Sequence, residues 1–303
     1  MITVVKAPPY LTVQDLGWSD LRSAGMPVGG AMDRWALAAG NLLVGNARDA
    51  AALEWALAGG ALRFDAPCLV ALTGADVEAR LGGAPVPMRS PVAAAAGDTL
   101  SVGRFTHGRF LYMAIAGGVD VPSLLGSRST YLPAGIGGFD GRRLRTGDVV
   151  RVAKPSSPAG RSGAALPAPS FPDEVVRVIA GPQRRHLSEA AWGGFLAGIY
   201  TVAPASDRMG YRLTASPPIP GAPADLPSES ACAGAVQLPP DGHPIVLMAD
   251  GPTVGGYAKI AVVISADLGR VAQRNPGEAV RFRAVSVAEA QRVYRAIPLI
   301  VTS

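Results

Sequence analysis

Short apolar runs separated by Gly, Asp and Pro fill the first half of the chain. Those at 2–6, 52–57, 61–65, 68–73, 84–88, 98–102, 109–116 and 148–152 have the length and make-up of strands. One stretch among them changes to a helical period. Asp33 is placed to cap the first turn of a helix over 34–44, its apolar side carries Trp35, Leu37, Ala38 and Leu42, and Gly45-Asn46 ends it. Strands and turns at this spacing over residues 1–152 predict a barrel or a sandwich.

The pattern lapses at 153–172, where five prolines and no periodic positions mark a linker. Residues 173–303 then form a second domain. Strands are expected at 174–179, 199–203, 235–238, 244–249, 259–265 and 279–285, and short helices over 186–197, 266–273 and 287–296. Ser286 and Glu289 make a capping-box pair for the last helix. Gly97-Asp98, Gly147-Asp148 and Gly277-Glu278 each turn the chain into an apolar strand, a device common to both halves. The fold expected is two related, mainly β domains with a few short helices.

Composition narrows the classes further. The 37 glycines and 27 prolines among 303 residues exclude a helical bundle. At 49% hydrophobic and 17% charged, the chain has a core to bury and is not a disordered one. The net charge of +5 comes from many arginines and three lysines, Lys6, Lys154 and Lys259. Apart from Arg142, Arg143 and Arg145 the arginines are scattered, without interleaved aromatics, so no nucleic-acid partner is expected. Two isolated cysteines, Cys68 and Cys232, give no disulfide framework and point to a reducing compartment. With no signal-peptide pattern and no membrane-length apolar stretch, a cytoplasmic protein that does not engage a membrane is expected.

Familiar catalytic motifs are missing. There is no GxxxxGK[ST] loop, no GxGxxG after a strand and no GxSxG elbow. His107, His186 and His243 lack partners at ligand spacing, so no metal site is expected. Four polar, glycine-rich segments stand among the strands instead: 12–17 with 25–33, 126–130 with 137–142, 206–210, and 234–259. Glycine turns let backbone N–H groups face a ligand oxygen. Arg128 and Arg208 offer planar forks for carboxylate or phosphate, with Asp207 beside Arg208 to hold its fork. Lys259 sits in an otherwise apolar strand, where burial tunes an amine. Singly, each residue fits a structural turn or ion pair; together the segments point to a site for a small anionic ligand.

These segments carry a resemblance. TVQDLG (12–17), GAMD (30–33), NLLVGN (41–46), ALTGAD (71–76), GSRSTY (126–131), GGFDGR (137–142), GPQ (181–183), SDRMGYRL (206–213) and AVQLPPDGHPIVLMAD with GGY-KIA (235–261) occur in that order. In this the chain resembles the biotin-dependent carboxyltransferase-like family, which includes the C subunit of ATP-dependent 5-oxoprolinase, the regulator KipA and part of urea amidolyase. The resemblance implies two cyclophilin-like β-barrel domains. It implies two partners, a KipI-like B subunit together with an A subunit. It also implies the ATP-dependent opening of 5-oxo-L-proline to L-glutamate, with Mg-ATP in the assembled complex. Two other roles stay open: part of a biotin-dependent carboxyltransferase, and a non-catalytic KipA-like regulator that binds a KipI-like partner.

Within those motifs, Asp207, Asp250 and Lys259 are the expected catalytic residues, the aspartates orienting or acting as base and the lysine neutralising charge. Arg128, Ser129, Arg208, Gln237 and Tyr257 are expected to bind substrate or anion. Gln14, Asp15, Gly30, Asp33, Gly137, Gly138, Gly255 and Gly256 are expected in turns that are structural or line the site.

Overall fold

A computed structural model describes residues 1–155, 174–221 and 226–297. Most of the expected linker, 156–172, lies outside the described residues. The chain divides into two compact units, Met1–Trp18 with Gly29–Pro169, and Ser19–Val28 with Ser170–Ser303.

The first unit holds β1 (Ile2–Lys6), β2 (Tyr10–Gln14), α1 (Arg34–Leu43), β3 (Ala52–Ala56), β4 (Gly60–Phe64), β5 (Cys68–Leu81), β6 (Ala84–Pro85), β7 (Pro91–Ala94), β8 (Thr99–Ile115) and β9 (Val149–Val150). They form one curled nine-stranded sheet in the order β2-β3-β8-β4-β1-β9, with β5 bonded to β6, β7 and β8. The two strands expected at 98–102 and 109–116 are one strand, β8. Its partner β5 also runs past the expected end at residue 73, with register shifts between Gly74 and Ala79. The strand expected at 84–88 is cut to Ala84–Pro85, and β7 follows at Pro91–Ala94.

β2 is a strand that hydrophobic patterning does not announce, because both of its faces are buried. Leu11 and Val13 join Leu53, Trp55, Leu111 and Met113 in the apolar core. Tyr10, Thr12 and Gln14 line the other face, where a polar network takes the place of apolar packing. Tyr10 and Tyr112 donate to opposite oxygens of the fully buried Glu54 carboxylate, at 3.1 and 2.7 Å. The free edge of β2 is closed by the 124–148 segment: Val13 O accepts from Thr130 N and Leu11 O from Leu144 N, at 2.9 and 2.8 Å. α1 starts where expected, with Asp33 accepting from Ala36 N, and Thr73 of β5 donates to Ala36 O.

The second unit holds β10 (Val175–Ala180), α2 (Glu189–Ala197), β11 (Tyr200–Val202), β12 (Gly210–Thr214), β13 (Glu229–Ser230), β14 (Ala235–Leu238), β15 (Ile245–Leu247), β16 (Val254–Gly255), β17 (Ala258–Val263), α3 (Leu268–Ala272), β18 (Ala279–Ala284) and α4 (Val287–Arg295). Here the expected barrel closes fully, as β10-β17-β14-β15-β12-β11-β18, with β18 returning parallel to β10. β12 was not anticipated; it continues the polar 206–210 loop. β13 and β16 pair separately as a two-stranded ribbon. Phe195 of α2 stacks on Phe282 of β18 at 4.9 Å and fixes the helix to the barrel. α2 begins later than position 186 because Ser188 caps it through Ala191 N. Ser286 caps α4 through Glu289 N as expected. No helix among the described residues is long and apolar enough to cross a membrane.

Candidate functional site

In the first unit, Asp15 organises the 126–130 segment. Its Oδ1 accepts from Gly17 N, Ser127 Oγ and Ser129 Oγ at 2.7, 2.6 and 2.5 Å, and its Oδ2 from Arg128 N at 2.5 Å. Ser129, expected to bind substrate, is fully buried with its hydroxyl engaged by Asp15 on both sides, since it also accepts from Asp15 N. Arg128 is exposed, and its Nε donates to Val121 O at 2.9 Å. Gln14 donates to Thr12 Oγ1 and Thr130 O, both at 3.1 Å. Gly30, Gly137 and Gly138 serve as close-approach glycines of this turn system. A Cβ on Gly138 (φ +53°) would lie 1.9 Å from Thr130 Oγ1, one on Gly137 2.2 Å from Ser129 O, and one on Gly30 2.7 Å from Gly17 N. Asp33 caps α1, and its N–H donates to the Tyr112 hydroxyl. Burial, then the nearby Glu54 and Asp33 carboxylates, push the Tyr112 phenol well above its ordinary value.

In the second unit, the structure pairs Arg208 with Asp250 rather than with Asp207. Arg208 Nε and Nη2 each donate to Asp250 at 2.8 Å, with both side chains buried. Asp207 instead closes its own turn by accepting from Met209 N and Gly210 N, at 2.8 and 3.2 Å. Arg208 and Asp250, expected as anion receptor and as base, thus meet in a bidentate internal ion pair. The reason is reach: Asp207 bends back onto its own loop, while the 250 turn lies against the 208 backbone, Asp250 N donating to Arg208 O.

Lys259 and Gln237 meet by a different device. β17 carries one residue more than β14 at this point, so that Val236 faces Ala261 while Gln237 faces Lys259. Ile260 is the surplus residue of this bulge, a feature that re-aims side chains beside it. The backbone it frees is taken up by the Gly181-Pro182-Gln183 segment after β10. Gly181 N donates to Ile260 O at 2.8 Å, Gln183 N to Lys259 O at 3.2 Å, and Lys259 N to Gln183 Oε1 at 3.1 Å. Lys259 is 6% and Gln237 5% exposed. The β13–β16 ribbon brings Glu229 to them: Glu229 Oε2 lies 3.3 Å from Lys259 Nζ and accepts from Gln183 Nε2 at 2.7 Å. These hydrogen bonds, Gln183 first and Lys259 second, hold the Glu229 carboxyl below its ordinary value. Opposite Glu229 in the ribbon is Gly255, where a Cβ would sit 2.7 Å from Gln237 Nε2. Gly256 follows, and Tyr257 is 45% exposed.

Sequence reasoning named Lys259, Gln237, Gly255, Gly256 and Tyr257, and the structure brings the first three together. It passed over Gln183 and Glu229. Gln183 was visible only as the end of the Gly-Pro-Gln motif, and Glu229 stands in a stretch with no period to mark it. Among the described residues no group of three or more His, Cys, Asp or Glu could hold a metal ion. The Cys68 thiol, pushed up to about 11 by burial, is no candidate nucleophile.

The carboxyltransferase domain family, subdomains A and B, matches residues 24–284. The chain is 38% identical to a 5-oxoprolinase C subunit of Haemophilus influenzae over 97% of its own length and 94% of that protein. It is 37% identical to a 5-oxoprolinase C subunit of Escherichia coli, over 96% and 93%. It is also 30% identical to a urea amidolyase of Lachancea kluyveri, covering 94% of this chain but 17% of that larger protein. The crystal structure of the K. lactis urea amidolyase superposes with a TM-score of 0.88 at 29% identity, over 96% of this chain and 19% of that one. The ordered motifs, the closed barrel and these near full-length likenesses agree, and the chain belongs to the carboxyltransferase domain family.

Proposed function

We propose that the chain is the C subunit of an ATP-dependent 5-oxoprolinase, a hydrolase that opens 5-oxo-L-proline to L-glutamate. In this reading it is active only when assembled with a KipI-like B subunit plus an A subunit. The observation that supports this best is the buried Gln237–Lys259 pair beside the bulge in β17. A five-membered lactam is a cis amide, so its N–H and C=O point to one side. A primary carboxamide answers such a group with its own C=O and N–H, in two parallel hydrogen bonds. Lys259 provides the cation for the carboxylate that 5-oxoproline also bears. Tyr257, more exposed, stands at the rim. Arg128 remains a candidate for a solvent-side anion contact.

The described residues of this chain contain no group of three or more His, Cys, Asp or Glu that could hold a metal ion, and the sequence contains no GxxxxGK[ST] loop. Lactam opening needs the amide carbonyl activated, and we assign the nucleotide to the partner proteins. This chain's share is to hold the lactam edge and the carboxylate in place and to keep the substrate oriented.

The likeness to urea amidolyases favours a second reading, a carboxyltransferase component that works with biotin. The ureido ring of biotin presents the same cis N–H and C=O to Gln237. Neighbouring genes for a biotin carboxylase and a carrier would support that reading, and genes for the A and B subunits the first. The deciding experiment co-expresses the chain with candidate A and B subunits, then follows 5-oxoproline-dependent formation of ADP and glutamate. Product well above that given by those two partners alone is expected. No increase overturns the proposal, and binding of the KipI-like partner without added turnover would make the chain a regulator.

A further inference from the structure

We propose that Lys259 and Gln183 form a carboxylate receptor whose resident, Glu229, gives way to the carboxylate of the ligand. The inference rests on the reading of Lys259 as a ligand-facing residue and adds what occupies that position beforehand.

The receptor is buried and its resident is half exposed. Gln183 is 4% exposed and anchored twice to the bulge backbone, its Oε1 accepting from Lys259 N and its own N–H donating to Lys259 O. Its amide orientation follows, and Nε2 points at the carboxylate. The Lys259 side chain is 7% exposed and its ammonium lies 3.3 Å from Glu229. The side chain of Glu229, by contrast, is 50% exposed, and it rides on the two-residue strand β13, paired only with β16 and outside the barrel. A single oxygen, Oε2, serves both donors.

Exchange also avoids the main cost of opening such a site. A buried ammonium left without a counter-charge is strongly destabilising. A ligand that brings its own carboxylate replaces Glu229 charge for charge, so Lys259 is never left unpaired. A neutral lactam has nothing to offer in exchange and leaves Glu229 in place. Gln237, 5% exposed and without a side-chain hydrogen bond among the described residues, stands on the strand next to Lys259 to meet the amide edge. Lys259, Gln183 and Glu229 would thus select lactams that carry a carboxylate. Because Glu229 is tethered, it competes with the ligand at high effective concentration.

The chain has only three lysines, Lys6, Lys154 and Lys259, which gives a direct readout. The full-length protein is labelled with trace acetic anhydride, and acylation of each lysine is measured by peptide mass spectrometry. Lys6 and Lys154 serve as internal references. Lys259 should label slowly in the wild type and up to about fivefold faster in Glu229→Gln, the span of a partly exposed ion pair. Adding excess acetate should return Lys259 of the variant toward the wild-type rate and leave the wild type unchanged. Equal labelling of Lys259 in wild type and variant overturns the proposal, as does an absence of acetate protection in the variant. Glu229→Ala repeats the test should the Gln variant unfold. 5-Oxoproline and pyrrolidin-2-one, which lacks the carboxylate, are then compared in Glu229→Gln. Protection by acetate with no stronger protection by 5-oxoproline would uphold the receptor and count against 5-oxoproline as substrate.

Discussion

Gln237 and Lys259 face each other only because Ile260 is surplus in β17; in regular register Gln237 would oppose Ile260. The bulge places an amine where an aliphatic side chain belongs. We expect Lys259→Met, which keeps the stem and removes the charge, to lower kcat/KM of the reconstituted complex by about 100-fold or more. The melting temperature of the isolated chain should hold or rise, since the desolvation cost of the ammonium goes with it and Glu229 is free to solvate. Full activity of the variant would remove Lys259 from the site.

Arg208 and Asp250 make the opposite kind of prediction. Arg208→Ala leaves a carboxylate that is 3% exposed without its counter-charge. The expected loss is about 3–5 kcal/mol in urea unfolding of the chain. The double variant Arg208→Met with Asp250→Leu should recover most of that loss, because no buried charge remains. A single variant that unfolds like the wild type but loses activity would restore Arg208 to the ligand site.

How far the sequence was legible follows from these two pairs. Period and turn signals mark strands with one wet face or an apolar core, and β14 and β18 appear at or within a residue of their expected places. They fail for β2, where Tyr10, Thr12 and Gln14 are buried in a polar network that reaches Glu54 rather than facing water. For the candidate site, sequence reading singles out Lys259 as a lysine in an otherwise apolar strand and Gln237 by the motif that holds it. It misassigns the partner of Arg208, because the carboxylate that pairs with it comes from 42 residues away. A one-residue bulge, and a glutamate delivered by a two-residue strand, leave no periodic trace.

Two glycine substitutions separate site from scaffold. Gly255 has no left-handed backbone, and an added methyl would meet only the end of the Gln237 side chain, at 2.7 Å. Gly255→Ala should therefore change stability by no more than about 0.5 kcal/mol, while raising KM as the carboxamide is pushed aside. Gly138→Ala, at φ +53° and 1.9 Å from Thr130 Oγ1, should cost about 1–3 kcal/mol or more in urea unfolding. Assays and unfolding curves of both variants check the pair. Unchanged KM in folded Gly255→Ala would argue against Gln237 as a ligand contact.

Asp15 should prove to be scaffold despite its place in the most conspicuous motif. Its carboxylate takes four donors from the 17 and 127–129 backbone and hydroxyls. Asp15→Asn replaces one accepting oxygen with an NH2 group, which faces donors. The expected cost is about 2–4 kcal/mol. Ser129→Ala removes one donor to the carboxylate, leaves Asp15 N without its acceptor, and should cost about 1–3 kcal/mol. Both should act on unfolding midpoints, with kcat/KM of the folded fraction preserved, and a folded Asp15→Asn chain with selectively lost turnover would contradict this.

The Arg142–Asp148 pair makes stability depend on pH in a defined direction. Arg142 Nη1 and Nη2 donate to Asp148 at 2.7 and 3.0 Å, and Arg145 N adds a third bond at 2.7 Å. Chiefly the Arg142 bonds, against a smaller opposing effect of burial, hold the Asp148 carboxyl below its ordinary value. A carboxyl whose folded value is depressed contributes fully above its unfolded value, about 3.9, and loses that contribution as pH falls through the folded one. The stability gap between wild type and Asp148→Asn should therefore be constant from neutral pH to about 5 and narrow below about 4. Its size should be on the order of 1 kcal/mol, since the pair is partly open to solvent. Urea unfolding of both proteins at pH 7, 5 and 3.5 measures it. A gap that stays constant to the lowest pH would show that Asp148 acts through shape and neutral hydrogen bonds, and that its charge contributes nothing.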